Sequence, residues 1–150
     1  MYSIEEIEKK QNIRFPDKYK EAYSSNFIEL ERCSNIYIDN EKIVIKKFMN
    51  ADEIMSAIDE FYDYFGYDII PIGITEYDDY ICFYYKTQAP CIIYWNYELT
   101  AESPNEGIVY LYKDFDTFVD AICWFLANGD ISLVVEYSTH QLEYCGRHSI

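Results

Sequence analysis

Glu76, Asp78 and Asp79 put three carboxylates close together in the chain, and carboxylate oxygens are the ligands that Ca²⁺ and Mg²⁺ take. The stretch has neither the regular ligand spacing nor the internal glycine of a calcium loop, so a solvated turn is its plainer reading. Cys145 and His148 are residue types that can form a thiolate–imidazole dyad, which requires the base within hydrogen-bond reach of the sulfur. A chain end carrying unrelated residues accounts for them more simply, and the other histidine, His140, lies in the same tail. The glycines, Gly66, Gly73, Gly107, Gly129 and Gly146, stand alone, so no loop is built to cradle a phosphate. Paired carboxylates for acid/base work arise by chance in so acidic a chain. Neither catalysis, a bound metal nor a cofactor is expected.

Cys33, Cys82, Cys91, Cys123 and Cys145 are an odd number, and no two are spaced as C-x-x-C. That removes a zinc knuckle and a thioredoxin-type pair. Reduced cysteines serving mainly as small core residues are expected.

Charge says more than any motif. Twelve basic residues stand against 27 acidic ones in 150, a net charge of −15. From Asp52 to Glu106 the only basic residue is Lys86, against twelve carboxylates and nine tyrosines. Nucleic acid and anionic membranes would be repelled. Complementary charge speeds encounter with a basic protein, and Tyr supplies large contact area with few rotors. The competing account is a generic acidic protein whose tyrosines fill its core and sheet. Half the residues are apolar and 28 are aromatic, enough to form a core. The longest apolar run, Ala121 to Ala127, falls far short of a bilayer. Met1–Glu8 holds three glutamates and no basic residue, unlike a leader peptide, and a cytoplasmic location is expected.

The elements that must position these residues follow from periodicity and punctuation. Ser3 with Glu6 has the capping-box pattern, and Ile4 and Ile7 share one face of a first helix. Pro16 suits the first turn of a second helix bearing Tyr19, Ala22 and Tyr23. Asn35–Asp39 and Lys42–Phe48 alternate around Asp39-Asn40, a hairpin pattern. Asn50 with Glu53 opens a third helix through Ile54, Ile58, Phe61 and Phe65, closed by Gly66. Strands are expected at Ile69–Ile74, Tyr80–Lys86, Cys91–Tyr97 and Gly107–Tyr112. Asp114 or Asp116 opens a last helix with Phe115, Phe118, Val119, Ile122, Phe125 and Leu126 inward, closed by Asn128-Gly129. The expected fold is α+β: a central, mainly antiparallel sheet flanked by N-terminal helices, a middle helix and a C-terminal helix. No linker or repeat divides the chain. One domain over 1–150 is expected, with its core at about 3–128 and an extension at 129–150, where a strand at Leu133–Tyr137 could pair with a second copy.

The order of these landmarks resembles the SUKH superfamily (Smi/Knr-type domain). The opening Ile4-Glu5-Glu6-Ile7-Glu8, then Ile13-Arg14-Phe15-Pro16-Asp17-Lys18-Tyr19-Lys20, is similar to its acidic helix, apolar-Pro-acidic step and second helix. Ile70-Pro71-Ile72-Gly73 with Asp78-Asp79-Tyr80-Ile81-Cys82-Phe83 resembles its strand, turn and strand. Ile93-Tyr94-Trp95-Asn96-Tyr97-Glu98 resembles its Trp-containing strand, and Tyr112-Lys113-Asp114-Phe115-Asp116-Thr117-Phe118 its closing aromatic helix. Asp78 stands where the family usually has Gly before the acidic turn, and Tyr97 where it often has His.

The resemblance implies the same α+β domain and a non-catalytic role. Many bacterial members are immunity proteins that neutralise polymorphic or contact-dependent toxins, often nucleases or deaminases. Eukaryotic relatives are regulatory scaffolds in signalling and cell-wall synthesis, acting through protein contacts. On the first reading a basic toxin domain is the partner. The expected contact face is Glu76, Asp78, Asp79, Glu98, Glu102 and Glu106, with Tyr77, Tyr80 and Tyr97 as anchors. Trp95, Phe15, Phe115 and Phe118 are expected in the core. Reversing the charge of Asp78 and Asp79 together is expected to weaken binding without unfolding the domain.

Overall fold

The computed structural model describes residues 1–28, 30, 35–65, 68–96 and 107–128. Two short helices, α1 (Ile4–Gln11) and α2 (Asp17–Ser24), come first. A hairpin follows, β1 (Asn35–Ile38) and β2 (Glu41–Phe48), then α3 (Ala51–Phe65). Strands β3 (Ile69–Thr75), β4 (Tyr80–Tyr84), β5 (Cys91–Trp95) and β6 (Ile108–Tyr112) lead to the last helix, α4 (Phe115–Asn128). The six strands form one sheet in sequence order with every neighbouring pair antiparallel. The α+β arrangement expected from the sequence is therefore the one observed.

Three of the four described helices start at a side-chain cap. Ser3 Oγ accepts from Glu6 N–H at 3.1 Å while Glu6 Oε1 accepts from Ser3 N–H at 3.0 Å, satisfying two otherwise orphaned donors. Asn50 and Glu53 repeat the box on α3 at 2.9 and 3.0 Å. Asp114 caps α4 by accepting from Thr117 N–H at 2.7 Å. Pro16 sits one position earlier than expected, with extended ψ just before α2. Its missing N–H costs nothing there either. Asp39 and Asn40 turn the first hairpin with φ of 51° and 67°, the left-handed pair that a tight hairpin requires.

Strand alternation puts Tyr80 and Trp95 on one face of the sheet and Phe83 on the other. Helix α3 covers the first face, with Phe61 against Trp95 at 4.7 Å and Tyr80 at 5.3 Å between ring centroids. Helices α2 and α4 cover the second, where Phe83 meets Phe15, Tyr19 and Phe115. Trp95, Phe15, Phe115 and Phe118 are all fully buried, as expected. Glu8 ties α1 to α2, accepting from Phe15 N–H at 2.7 Å and pairing with Lys20 at 2.9 Å. Tyr85 leaves the ladder that was expected to continue to Lys86. Its N–H donates to Asp68 O and its hydroxyl to Arg14 O at 2.9 Å, fastening the sheet to the α1–α2 junction.

Cys82 is buried and Cys91 half-buried, and both are free thiols. Burial pushes the Cys82 thiol well up, which leaves it little thiolate character. Gly66, Gly129, Cys33, Cys145, both histidines and the strand expected at Leu133–Tyr137 lie outside the described residues, as do the side chains of Phe65, Cys123, Phe125 and Leu126. Among the described residues no helix is long and apolar enough to cross a membrane.

Candidate functional site

The turn between β3 and β4 is wound around a buried threonine. Thr75 Oγ1 accepts from the N–H groups of Tyr77 and Asp79 at 3.3 and 3.2 Å. Its N–H donates to Asp79 O at 2.9 Å, and Asp78 N–H donates to Thr75 O at 3.0 Å. That closure forces Asp78 to φ 61°. Glycine adopts this conformation freely and aspartate tolerates it.

The turn sorts the residues expected to act together. Glu76, Tyr77 and Asp78 are exposed. Glu76 is anchored on β2, its N–H donating to Val44 O at 2.9 Å and its Oε1 accepting from Val44 N–H at 3.4 Å. Asp78 pairs with Lys46 at 3.3 Å, both side chains open to water. Tyr77 is 56% exposed. The Glu76 carboxylate beside its hydroxyl raises its pKa, with burial and then Glu41 adding to the effect.

Asp79 points inward. It is 8% exposed, and its carboxylate accepts a short hydrogen bond from the Tyr94 hydroxyl. Burial raises the Tyr94 phenol well above its ordinary value, followed by the bond to Asp79 and the Asp79 charge; a hydrogen bond with Thr75 offsets part of this and the Glu41 charge adds a little. Reversing Asp79 would strand Tyr94 and bury a lone cation. The double reversal with Asp78 is therefore a perturbation of the fold as well as of the face. Tyr80 is half-buried and stacks on Trp95 at 5.5 Å, so its ring belongs to the packing under α3. Tyr97, Glu98, Glu102 and Glu106 lie outside the described residues.

One acidic surface was not singled out from the sequence. Helix α3 carries Asp52, Glu53, Asp59, Glu60 and Asp63 with no basic residue. Asp52, Asp59, Glu60 and Asp63 are exposed. Carboxylates near a helix C-terminus oppose its dipole, and no basic residue occupies the last turn. The signal was the helical period of the acids between Asn50 and Gly66, opposite Ile54, Ile58 and Phe61. Among the described residues the ion pairs are Arg14–Asp17, Lys20–Glu8, Lys46–Asp78 and Lys47–Glu53. They leave Asp59, Glu60 and Asp63 without a countercharge. No group of three His, Cys, Asp or Glu side chains among the described residues is placed to hold a metal.

Comparison with known proteins gives one result. The family model of the SMI1 / KNR4 family (SUKH-1) matches residues 3–121. No curated protein and no solved structure matches the chain.

Proposed function

The chain belongs to the SMI1 / KNR4 family (SUKH-1), and from that premise we propose that it is a cytoplasmic immunity protein, binding a basic toxin domain and blocking it without catalysis. The observation that carries this reading is the exposed Glu76-Tyr77-Asp78 turn, an aromatic ring between two carboxylates on a closed, well-anchored loop. A loop held by four hydrogen bonds loses little entropy on binding. Its charge sits in a strongly acidic molecule, which favours fast encounter with a basic groove such as a nuclease presents. Asp79 supports the face from beneath through Tyr94, and Tyr80 supports it through Trp95; neither is a contact residue in this reading.

Co-expression with the toxin domain encoded beside its gene tests the proposal. Wild-type protein restores growth, and the Glu76→Gln, Asp78→Asn pair restores it less while remaining folded. Growth arrest in the presence of folded wild-type protein would end the immunity reading. Recovery of signalling or cell-wall proteins in place of a toxin would move the chain to the regulatory scaffolds of its family.

A further inference from the structure

The sheet face that carries Phe83 is covered unevenly. At one end lies the aromatic cluster under α2 and α4. At the other is an open groove of about 520 Å³, and no described helix residue lines it. Ile38 and Ile43 of the first hairpin, Tyr94 of β5 with Asn96 just after it, and Val109 of β6 with Gly107 just before it line the groove. Asp39 and Glu41 of the hairpin and Tyr77 of the β3–β4 turn complete the lining, both turns lying at the same end of the sheet. Apart from Asn96 the walls are apolar, the rim is acidic and aromatic, and among the described residues no basic side chain lines the groove.

Two carboxylates set the field inside it. Glu41 acts on both Tyr77 and Tyr94, and the buried Asp79 acts on Tyr94. Among the described residues neither Asp39, Glu41 nor Asp79 has an ion-pair partner. An apolar trough ending in uncompensated negative charge is complementary to a side chain with an apolar stem and a cationic head. Between the two long cations, arginine suits this rim better. Its guanidinium is flat, weakly hydrated, stacks on aromatic rings and forms forked bonds to carboxylates, whereas an ammonium is a strongly hydrated point charge.

We propose that the groove between the first hairpin and β6 receives an arginine side chain from a loop of the protein partner, its stem against Ile38, Ile43 and Val109 and its guanidinium between Asp39, Glu41 and Tyr77. The identity of the partner rests on the function proposed above; the chemistry of the groove does not. The groove lies next to the Glu76–Asp78 turn in the fold, since Tyr77 belongs to both. A partner loop seated in it would bring its neighbouring surface onto that turn.

The test uses the full chain, labelled with ¹⁵N, titrated with N-acetyl-arginine amide at low salt and, separately, with N-acetyl-norleucine amide. Saturable shifts with the arginine probe at Ile38, Glu41, Ile43 and Val109, and weaker ones with norleucine, are expected. Asp39→Asn and Glu41→Gln each weaken the arginine probe by about 1.4- to 5-fold, the range for one exposed ion pair. Asp59→Asn with Asp63→Asn removes twice that charge from α3 and leaves affinity unchanged. Shifts spread over α3, or an equal loss from the α3 variant, would reduce the effect to net charge and overturn the proposal, as would no shift in the groove. If the groove ignores the arginine probe while the toxin is still neutralised, the groove is wrong and the function stands. Arginine binding in the groove without toxin neutralisation leaves the groove assignment standing and removes the function.

Discussion

Asp78 and Asp79 are chain neighbours with opposite roles, and a double-mutant cycle separates them. Asp79 accepts from Tyr94 in a buried setting. A hydrogen bond to a charged group contributes about 1.5–3 kcal/mol. The cycle of Asp79→Ala, Tyr94→Phe and the double variant is expected to return a coupling energy of about that size. The cycle is preferred to either single variant because Asp79→Ala also relieves the desolvation of a buried carboxylate, which partly hides the lost bond. Asp78 is the comparator. Its pair with Lys46 is 3.3 Å long, with side chains 79% and 59% exposed, and such pairs contribute about 0–1 kcal/mol. Asp78→Asn removes the charge and keeps a residue that tolerates φ 61°. Urea unfolding followed by Trp fluorescence reads the wild type and all four variants, Trp95 being fully buried and stacked on Tyr80. At this chain length 2 kcal/mol also corresponds to a Tm shift of roughly 4–8 °C. A coupling energy below about 0.5 kcal/mol, the level at which independent sites add, would refute the buried pair. A cost for Asp78→Asn as large as that of Tyr94→Phe would refute the division of roles.

The phenols of Tyr19, Tyr85 and Tyr94 are raised above 10.0, burial being the first cause in each. Their neutral forms are favoured in the folded state, so this contribution is complete below pH 10.0 and is lost as pH rises from there towards the folded values. Urea midpoints should therefore fall between about pH 9 and about pH 11, and a flat profile would contradict the burial. Tyr19 is fully buried and among the described residues its hydroxyl has no hydrogen-bond partner, so Tyr19→Phe should be neutral or stabilising by about 1 kcal/mol, and a clear loss of stability would reveal a missed partner. Phe83 packs against Phe15, Tyr19, Tyr85 and Phe115; Phe83→Ala should cost about 3–5 kcal/mol in calorimetry, and a cost below about 1 kcal/mol would mean that the helices do not close that face.

The fold was legible where local chemistry and tertiary packing agree. Ser3/Glu6 and Asn50/Glu53 are caps whose hydrogen bonds run to residues three positions away, so spacing alone revealed them; for the last helix spacing left Asp114 and Asp116 open, and the bond from Thr117 N–H decides for Asp114. Asp39-Asn40 is a pair able to take positive φ between alternating runs, and the hairpin followed. The site was less legible because exposure is a long-range property. Asp78 and Asp79 read alike in sequence, and only the winding of the turn around Thr75 sends one outward and the other to Tyr94. Tyr80 and Tyr77 read alike too, until α3 lays Phe61 over one of them. The groove was invisible for the same reason: Ile43, Tyr94 and Val109 come from three strands far apart in the chain, and alternation marks them all as core.

The most direct measurement is the rate and affinity with which the purified toxin domain binds the immobilised chain at about 50 and about 500 mM salt, between which screening shortens from about 14 to about 4 Å. The account predicts tight association whose on-rate falls steeply as salt rises, and a shallower salt dependence for the Glu76→Gln, Asp78→Asn variant. Binding that is indifferent to salt, or identical in that variant, would contradict an acidic face as the means of recognition.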